Sequence, residues 1–180
     1  MGFSIVDGER TVPILVEREA FSGIRRIANV LADDIYSVCR KKPEVIDESG
    51  LENYTGKELV ICAVYGHSDI LSRLEMDGKF NPECIAGKWE VYATFLVEAP
   101  FDGVDRALVI AGSDKRGTIY GMFSLSEYIG VTAFEYMGDV RPVEKKSIAI
   151  GEDFFAVSKE PSVKYRGFFI NDEWPCFGSW

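Results

Sequence analysis

Two short runs constrain this 180-residue chain more than anything else in it: "ELVICAVYG" (58–66) and "DRALVIAG" (105–112). Each is almost continuously apolar, rich in β-branched residues, and too short for a buried helix, so each reads as a strand hidden on both faces. A strand hidden on both faces needs cover above and below, which predicts a sheet sandwiched by other elements. The long run "KWEVYATFLVEAP" (88–100) is separated from "DRALVIAG" only by a tight turn around Asp102-Gly103. That pair must be antiparallel, which makes the sheet mixed.

The remaining elements follow from periodicity and punctuation. Ile24, Ile27, Ala28, Leu31, Ile35 and Val38 recur at helical spacing opposite Arg25, Arg26, Asp33, Asp34 and Arg40, and Pro43 closes that helix. "SDILSRLEMDG" is a second helix, with Ser68 as N-cap and Gly78 near its end. A third runs from Thr118 to Ile129, places Ile119, Met122, Phe123 and Ile129 on one side, and stops at Gly130. "TVPILVE" (11–17) suits an edge strand because Pro13 stands near its start. "VTAFEYM", "SIAIGEDFFAVS" and "SVKYRGFFIND" are strand-like. The fold class expected is α/β (α+β), with a mixed sheet of about five strands and two to three helices.

Charge and composition narrow the function. With 20 Lys+Arg against 29 Asp+Glu the net charge is −9, and no basic stripe interrupts it, so nucleic acid is not an expected partner. No apolar run approaches the ~20 residues needed to span a bilayer, so no membrane partner is expected either. The opening "MGFSIVDGER" carries neither a basic n-region nor an apolar h-region, which makes the cytoplasm the default address, or secretion if a leader has been removed. Cys39, Cys62, Cys84 and Cys176 are irregularly spaced, and His67 is the single histidine. Buried free thiols, no metal site and no cofactor are expected, with His67 in a turn or capping role.

"GSDKRGTIYG" (112–121) raises the question of a phosphate loop, because it lies between a strand and a helix. Gly112 and Gly117 have the G-x-x-x-x-G spacing of a Walker loop, but Thr118 follows Gly117 directly and the lysine is missing. The G-x-G-x-x-G of dinucleotide sites is absent too. A helix N-terminus flanked by Lys115 and Arg116 still presents a positive field to an anion. The other reading is that the glycines serve the turn and the cations are solvated.

The same stretch carries a resemblance. "VIAGSDKRGTIYGMFSLSEYIGV", "GKWE" (87–90) and "PSVKYRGFFINDE" (161–173) resemble the N-terminal domain of glycoside hydrolase family 115, the xylan α-1,2-glucuronidases. Where that family often has a Trp-rich "SPWYWW", this chain has "TAFEYM" (132–137). The resemblance implies an enzyme that removes glucuronic acid or its 4-O-methyl derivative from xylan side chains with inversion. It also implies an N-terminal α/β accessory domain ahead of a (β/α)8 barrel. On that basis the accessory domain is expected over 1–157, with a linker and the first barrel strand over 158–180.

A barrel needs about 250 residues, so these 180 are expected to be inactive by themselves. Inversion needs two carboxyls roughly 6.5–9.5 Å apart, which neighbours in an extended run cannot supply, so Asp172 and Glu173 are candidates for one catalytic role at most. The catalytic pair is expected outside the segment. Asn171, Asp172 and Glu173, at the C-terminal end of a first barrel strand, are candidates for holding substrate. Lys115 and Arg116 are candidates for meeting a glucuronate carboxylate, or for docking the domain onto its own barrel. The aromatic tail, from Phe168 to Trp180, is expected to fold back on the domain or to pair with a second copy. A non-catalytic carbohydrate-binding or docking module remains the alternative, followed by a nucleotide- or phosphate-binding domain.

Overall fold

A computed structural model describes residues 2–138 and 140–169. Its centre is a five-stranded sheet in the order β4-β3-β5-β7-β6, in which β3 (Ile14–Leu15), β4 (Val45–Ile46), β5 (Glu58–Val64) and β7 (Val104–Gly112) are parallel. Only β6 (Tyr92–Phe101) is antiparallel, joined to β7 by the turn at Asp102-Gly103, where Gly103 takes a φ of 88°. A second sheet, β2-β1-β8, combines β1 (Phe3–Asp7), β2 (Arg10–Thr11) and β8 (Ser147–Ile150), all antiparallel. The chain is thus a mixed α+β fold with a five-stranded mixed sheet, and the small sheet is an addition that the sequence did not disclose.

The apolar runs behave as their length requires. Every residue of β5 is buried, and alternate side chains go to opposite sides. Val60, Cys62 and Val64 join Leu108 and Ile110 of β7 in a core under the long helices α1 (Ser22–Cys39) and α4 (Lys115–Ile129). Leu59, Ile61 and Ala63 join Ala107, Val109 and Ala111 in a second core closed by Leu71 and Leu74 of α3 (Asp69–Met76). The small sheet sends Phe3, Ile5, Ile148 and Ile150 into the first core.

The helix signals act locally. Ser68 Oγ accepts from the Leu71 N–H at 3.0 Å, and Gly78 reverses the chain after α3 at φ 68°. Gly130 ends α4 in the left-handed conformation, φ 110°. α1 ends at Cys39, after which Arg40 takes φ 57° and donates its N–H to the Tyr36 carbonyl, so the helix stops four residues before Pro43.

Several expectations are corrected. Within the 11–17 run, Thr11 belongs to β2 at the edge of the small sheet, whereas β3 is interior, because the two-residue β4 takes the edge beyond it, and Pro13 loses nothing since ladder pairing there begins at Ile14. α4 begins a turn earlier than Thr118, so Lys115, Arg116 and Gly117 are helical. Phe123 lies off its buried stripe, 44% exposed. "VTAFEYM" contains a one-turn helix, α5 (Phe134–Gly138), because the Thr132 carbonyl accepts from Glu135 N–H and its hydroxyl from Phe134 N–H. A similar one-turn helix, α2 (Glu48–Glu52), is capped by Asp47. The 147–158 run is one strand, a 3-10 turn over Glu152–Phe154, then a bridge from Val157 to Ala93. Residues 163–169 form no strand. Cys39 and Cys62 are buried, whereas Cys84 is half-buried in the Pro82–Cys84 turn.

Candidate functional site

The C-terminal ends of the parallel strands are where open α/β sheets bind ligands, and strand-to-helix corners there offer free N–H groups to anions. Two of these corners, after β5 and after β7, are filled by carboxylates of the chain itself, whereas α1, after β3, begins without a side-chain cap. After β5, Glu17 Oε1 accepts from the Asp69 and Ile70 N–H groups at 2.8 and 3.1 Å, capping α3 from far away in sequence. After β7, Asp114 caps α4: Oδ1 accepts from Gly117 N–H at 2.8 Å and Oδ2 from Glu90 N–H at 2.8 Å. The glycines of "GSDKRGTIYG" serve close packing. A Cβ at Gly117 would run into the Val91 carbonyl, and one at Gly112 into the Thr118 backbone. Thr118 is fully buried, its hydroxyl donating to the Ala63 carbonyl at 2.9 Å.

What the second corner builds is an ion cluster around Glu90. The Glu90 side chain is 5% exposed and receives two guanidinium groups, Arg116 Nη1 on Oε1 at 2.6 Å and Arg166 Nη2 on Oε2. The Arg166 pairing first, and Arg116 after it, outweigh burial and hold the Glu90 carboxyl below the usual carboxylate range. Glu90 itself sits at φ 55°, a left-handed conformation that costs a side-chain-bearing residue on the order of 1 kcal/mol or more. The two arginines and the Asp114 carboxylate on its N–H are what fix it there.

The cluster anchors the end of the described chain to the domain. Arg166 Nη1 also donates to the Val163 carbonyl at 2.7 Å, and its guanidinium lies 5.6 Å from the centre of the Trp89 ring. Upstream, Ser158 N–H donates to the Tyr92 carbonyl and Tyr92 N–H to Ser158 Oγ, both at 2.9 Å; Trp89 N–H donates to Glu160 Oε1 at 2.9 Å. Thr94 donates its hydroxyl to the Phe154 carbonyl at 2.6 Å. Residues 154–166 therefore run along the open edge of β6 and end on the α4 corner, covering an edge that would otherwise be free to pair.

Of the residues singled out from sequence, Lys115 and Arg116 both lie exposed in the first turn of α4. Arg116 is engaged by Glu90, and Lys115 runs past Gly23 of α1. His67 occupies the bend before α3, its ring 4.9 Å from that of Phe21. Asn171, Asp172 and Glu173, with Cys176 and the aromatic tail beyond Phe169, lie outside the described residues. Glu90, Asp114, Arg166 and Glu17 were missed as functional residues. "GKWE" and "YRG" contain two of them, but only the fold brings these strings together.

Comparison with known proteins adds to this geometry. The family model described as Glycosyl hydrolase family 115 matches residues 158–180. A solved structure described as a family GH115 4-O-methyl-alpha-glucuronidase, BtGH115A, with specificity for decorated arabinogalactans, superposes with a TM-score of 0.69 and 27% identity. It covers 90% of this chain, which in turn spans 19% of that one. No curated protein matches. Fold and comparison together define an α+β domain of a kind found in a glycoside hydrolase. In particular, the chain resembles the N-terminal region of glycoside hydrolase family 115.

Proposed function

We propose that this chain is the N-terminal part of a glycoside hydrolase that releases (4-O-methyl)glucuronic acid side chains from a plant polysaccharide, with inversion. In this reading the domain scaffolds the chemistry, and a (β/α)8 barrel following it performs the reaction. The observation that carries the reading is the course of residues 154–166, tied to the domain by Ser158, Glu160 and Arg166. A match to the family begins within that anchored stretch, at residue 158. An accessory domain that grips the strand leading into a barrel sets where that strand starts, and a small misplacement at a reacting centre costs much rate.

The division at 157/158, with the first barrel strand in 158–180, is part of the same proposal. So are the substrate-holding roles of Asn171, Asp172 and Glu173. Lys115, the cation of the α4 corner that no carboxylate among the described residues grips, is the candidate for an acidic sugar or for an acidic barrel loop. The polymer is proposed to be glucuronoxylan. A decorated arabinogalactan is the second reading, favoured by the specificity in the description of BtGH115A.

The test compares the 180-residue protein with a polypeptide extended through the barrel, measuring release of glucuronic acid from glucuronoxylan and from glucuronosylated arabinogalactan. Release by the extended protein alone supports the reading, and the preferred polymer decides between the two. Release by the 180 residues, above a no-protein control, would overturn the scaffold role.

A further inference from the structure

A second region of the domain has the chemistry of a binding site and belongs to neither corner. Between α1, the C-terminal half of α4 and residues 131–134 lies a cavity of about 620 Å³, lined by Val30, Asp34, Phe123, Ser126, Val131 and Phe134 among others. Most of the lining is apolar, which is usual for small-molecule sites in which a few polar groups fix orientation. Two such groups converge here, and each is nine-tenths buried or more. Asp34 is 5% exposed, although it is a carboxylate on a helix face where the sequence pattern reads solvent. Ser126 is 4% exposed, and its Oγ has no partner among the described residues other than the neighbouring Asp34 carboxylate.

A buried carboxylate without a cation is costly, and such a group either takes up a proton or binds a cation. Among the described residues no Lys or Arg lines the cavity, whereas Glu127 does, and Glu135, whose Oε2 is buried without a partner among the described residues, adds its charge near Asp34. Burial pushes the Asp34 carboxyl up; the adjacent Ser126 hydroxyl tempers the rise, and the charges of Glu135 and Asp33 add to it. For the ionised form of Asp34 the missing component is positive. It must carry N–H donors for a carboxylate and a hydroxyl oxygen, on an apolar body that fills the remaining volume. Phe123 and Phe134, 44% and 65% exposed, supply ring faces that favour a cation further.

We propose that this cavity is a binding site for a small organic cation, an ammonium or amidinium on an apolar body, held by the Asp34 carboxylate and the Ser126 hydroxyl. Glucuronate, an anion, is the wrong charge for it. The site is thus independent of the glycosidase reading and stands or falls by itself.

The test titrates the 180-residue protein with benzylammonium, following backbone amides by NMR, and repeats the titration with benzyl alcohol and with benzoate. The expected result is saturable shifts at Val30, Ser126 and Val131, with benzyl alcohol about tenfold weaker, the ratio that one charge-assisted hydrogen bond supplies at its low end. Benzoate is expected not to bind. Asp34→Asn should bring benzylammonium down to the level of the alcohol, and Ser126→Ala should weaken it by a smaller factor. Equal binding of cation and alcohol, or shifts confined to another surface, overturns the proposal. That comparison uses unaltered protein and holds even where Asp34→Asn fails to fold.

Discussion

Two carboxylates in this domain are buried to nearly the same extent and are treated in opposite ways. Glu90, 6% exposed, is met by two guanidinium groups and pushed down in pKa. Asp34, 5% exposed, is met by a hydroxyl and flanked by further acids, and is pushed up. The difference teaches where each charge is used. At Glu90 the charge closes an internal contract between a loop, a helix and the end of the described chain. At Asp34 the charge is left open, in an apolar cavity, which is the arrangement of a group waiting for a partner.

Removing each charge should separate the two cases most sharply. Glu90→Gln leaves Arg116 and Arg166 without their anion, and since Arg116 is largely in solvent the expected loss at neutral pH is about 2 kcal/mol, below the 3–5 typical of deeply buried pairs. Chemical denaturation measures it. Because the folded pKa of Glu90 is lowered, its stabilisation is present above the unfolded value and is lost as pH falls through the folded one. Wild type and Glu90→Gln should therefore converge in acid. A loss that persists at low pH would mean that packing, not charge, holds the corner.

A smaller effect of opposite sign is expected at the other carboxylate. The folded pKa of Asp34 is raised, so its contribution is favourable below the unfolded value and is lost as pH rises through the folded one. Asp34→Asn should then melt higher than wild type at neutral pH, by about 1 kcal/mol or less, and converge with it in acid from above. A lower melting temperature for Asp34→Asn at neutral pH would show that the carboxylate already has a partner within the domain.

The sheet was readable because its signals are local. "ELVICAVYG" and "DRALVIAG" can only be two-sided strands, the Asp102-Gly103 turn forces an antiparallel partner, and Ser68 caps a helix three residues away. Where reading failed, the deciding contact was distant or very short. The two-residue β4 that moves β3 of "TVPILVE" to the interior has no sequence signature, and β1 finds β8 across almost the whole chain. In "TAFEYM" a single Thr132 turn outweighed aromatic β-propensity. The candidate site was legible only in part: the glycine loop was found, yet the anion that fills it, Asp114, stood inside the quoted string unnoticed. Glu90 lies 76 residues from Arg166, and no periodicity links them.

The most direct trial of the scaffold role is the Arg166→Ala variant in the polypeptide extended through the barrel, assayed for kcat and KM on a glucuronosyl substrate at a temperature where both proteins are folded. The account predicts a fall in kcat of about tenfold or more, partly restored by Arg166→Lys, because the strand entering the barrel loses its fixed start. Unchanged kcat and KM, with residues 158–166 released from β6 by hydrogen exchange, would show that the anchor does nothing for the chemistry.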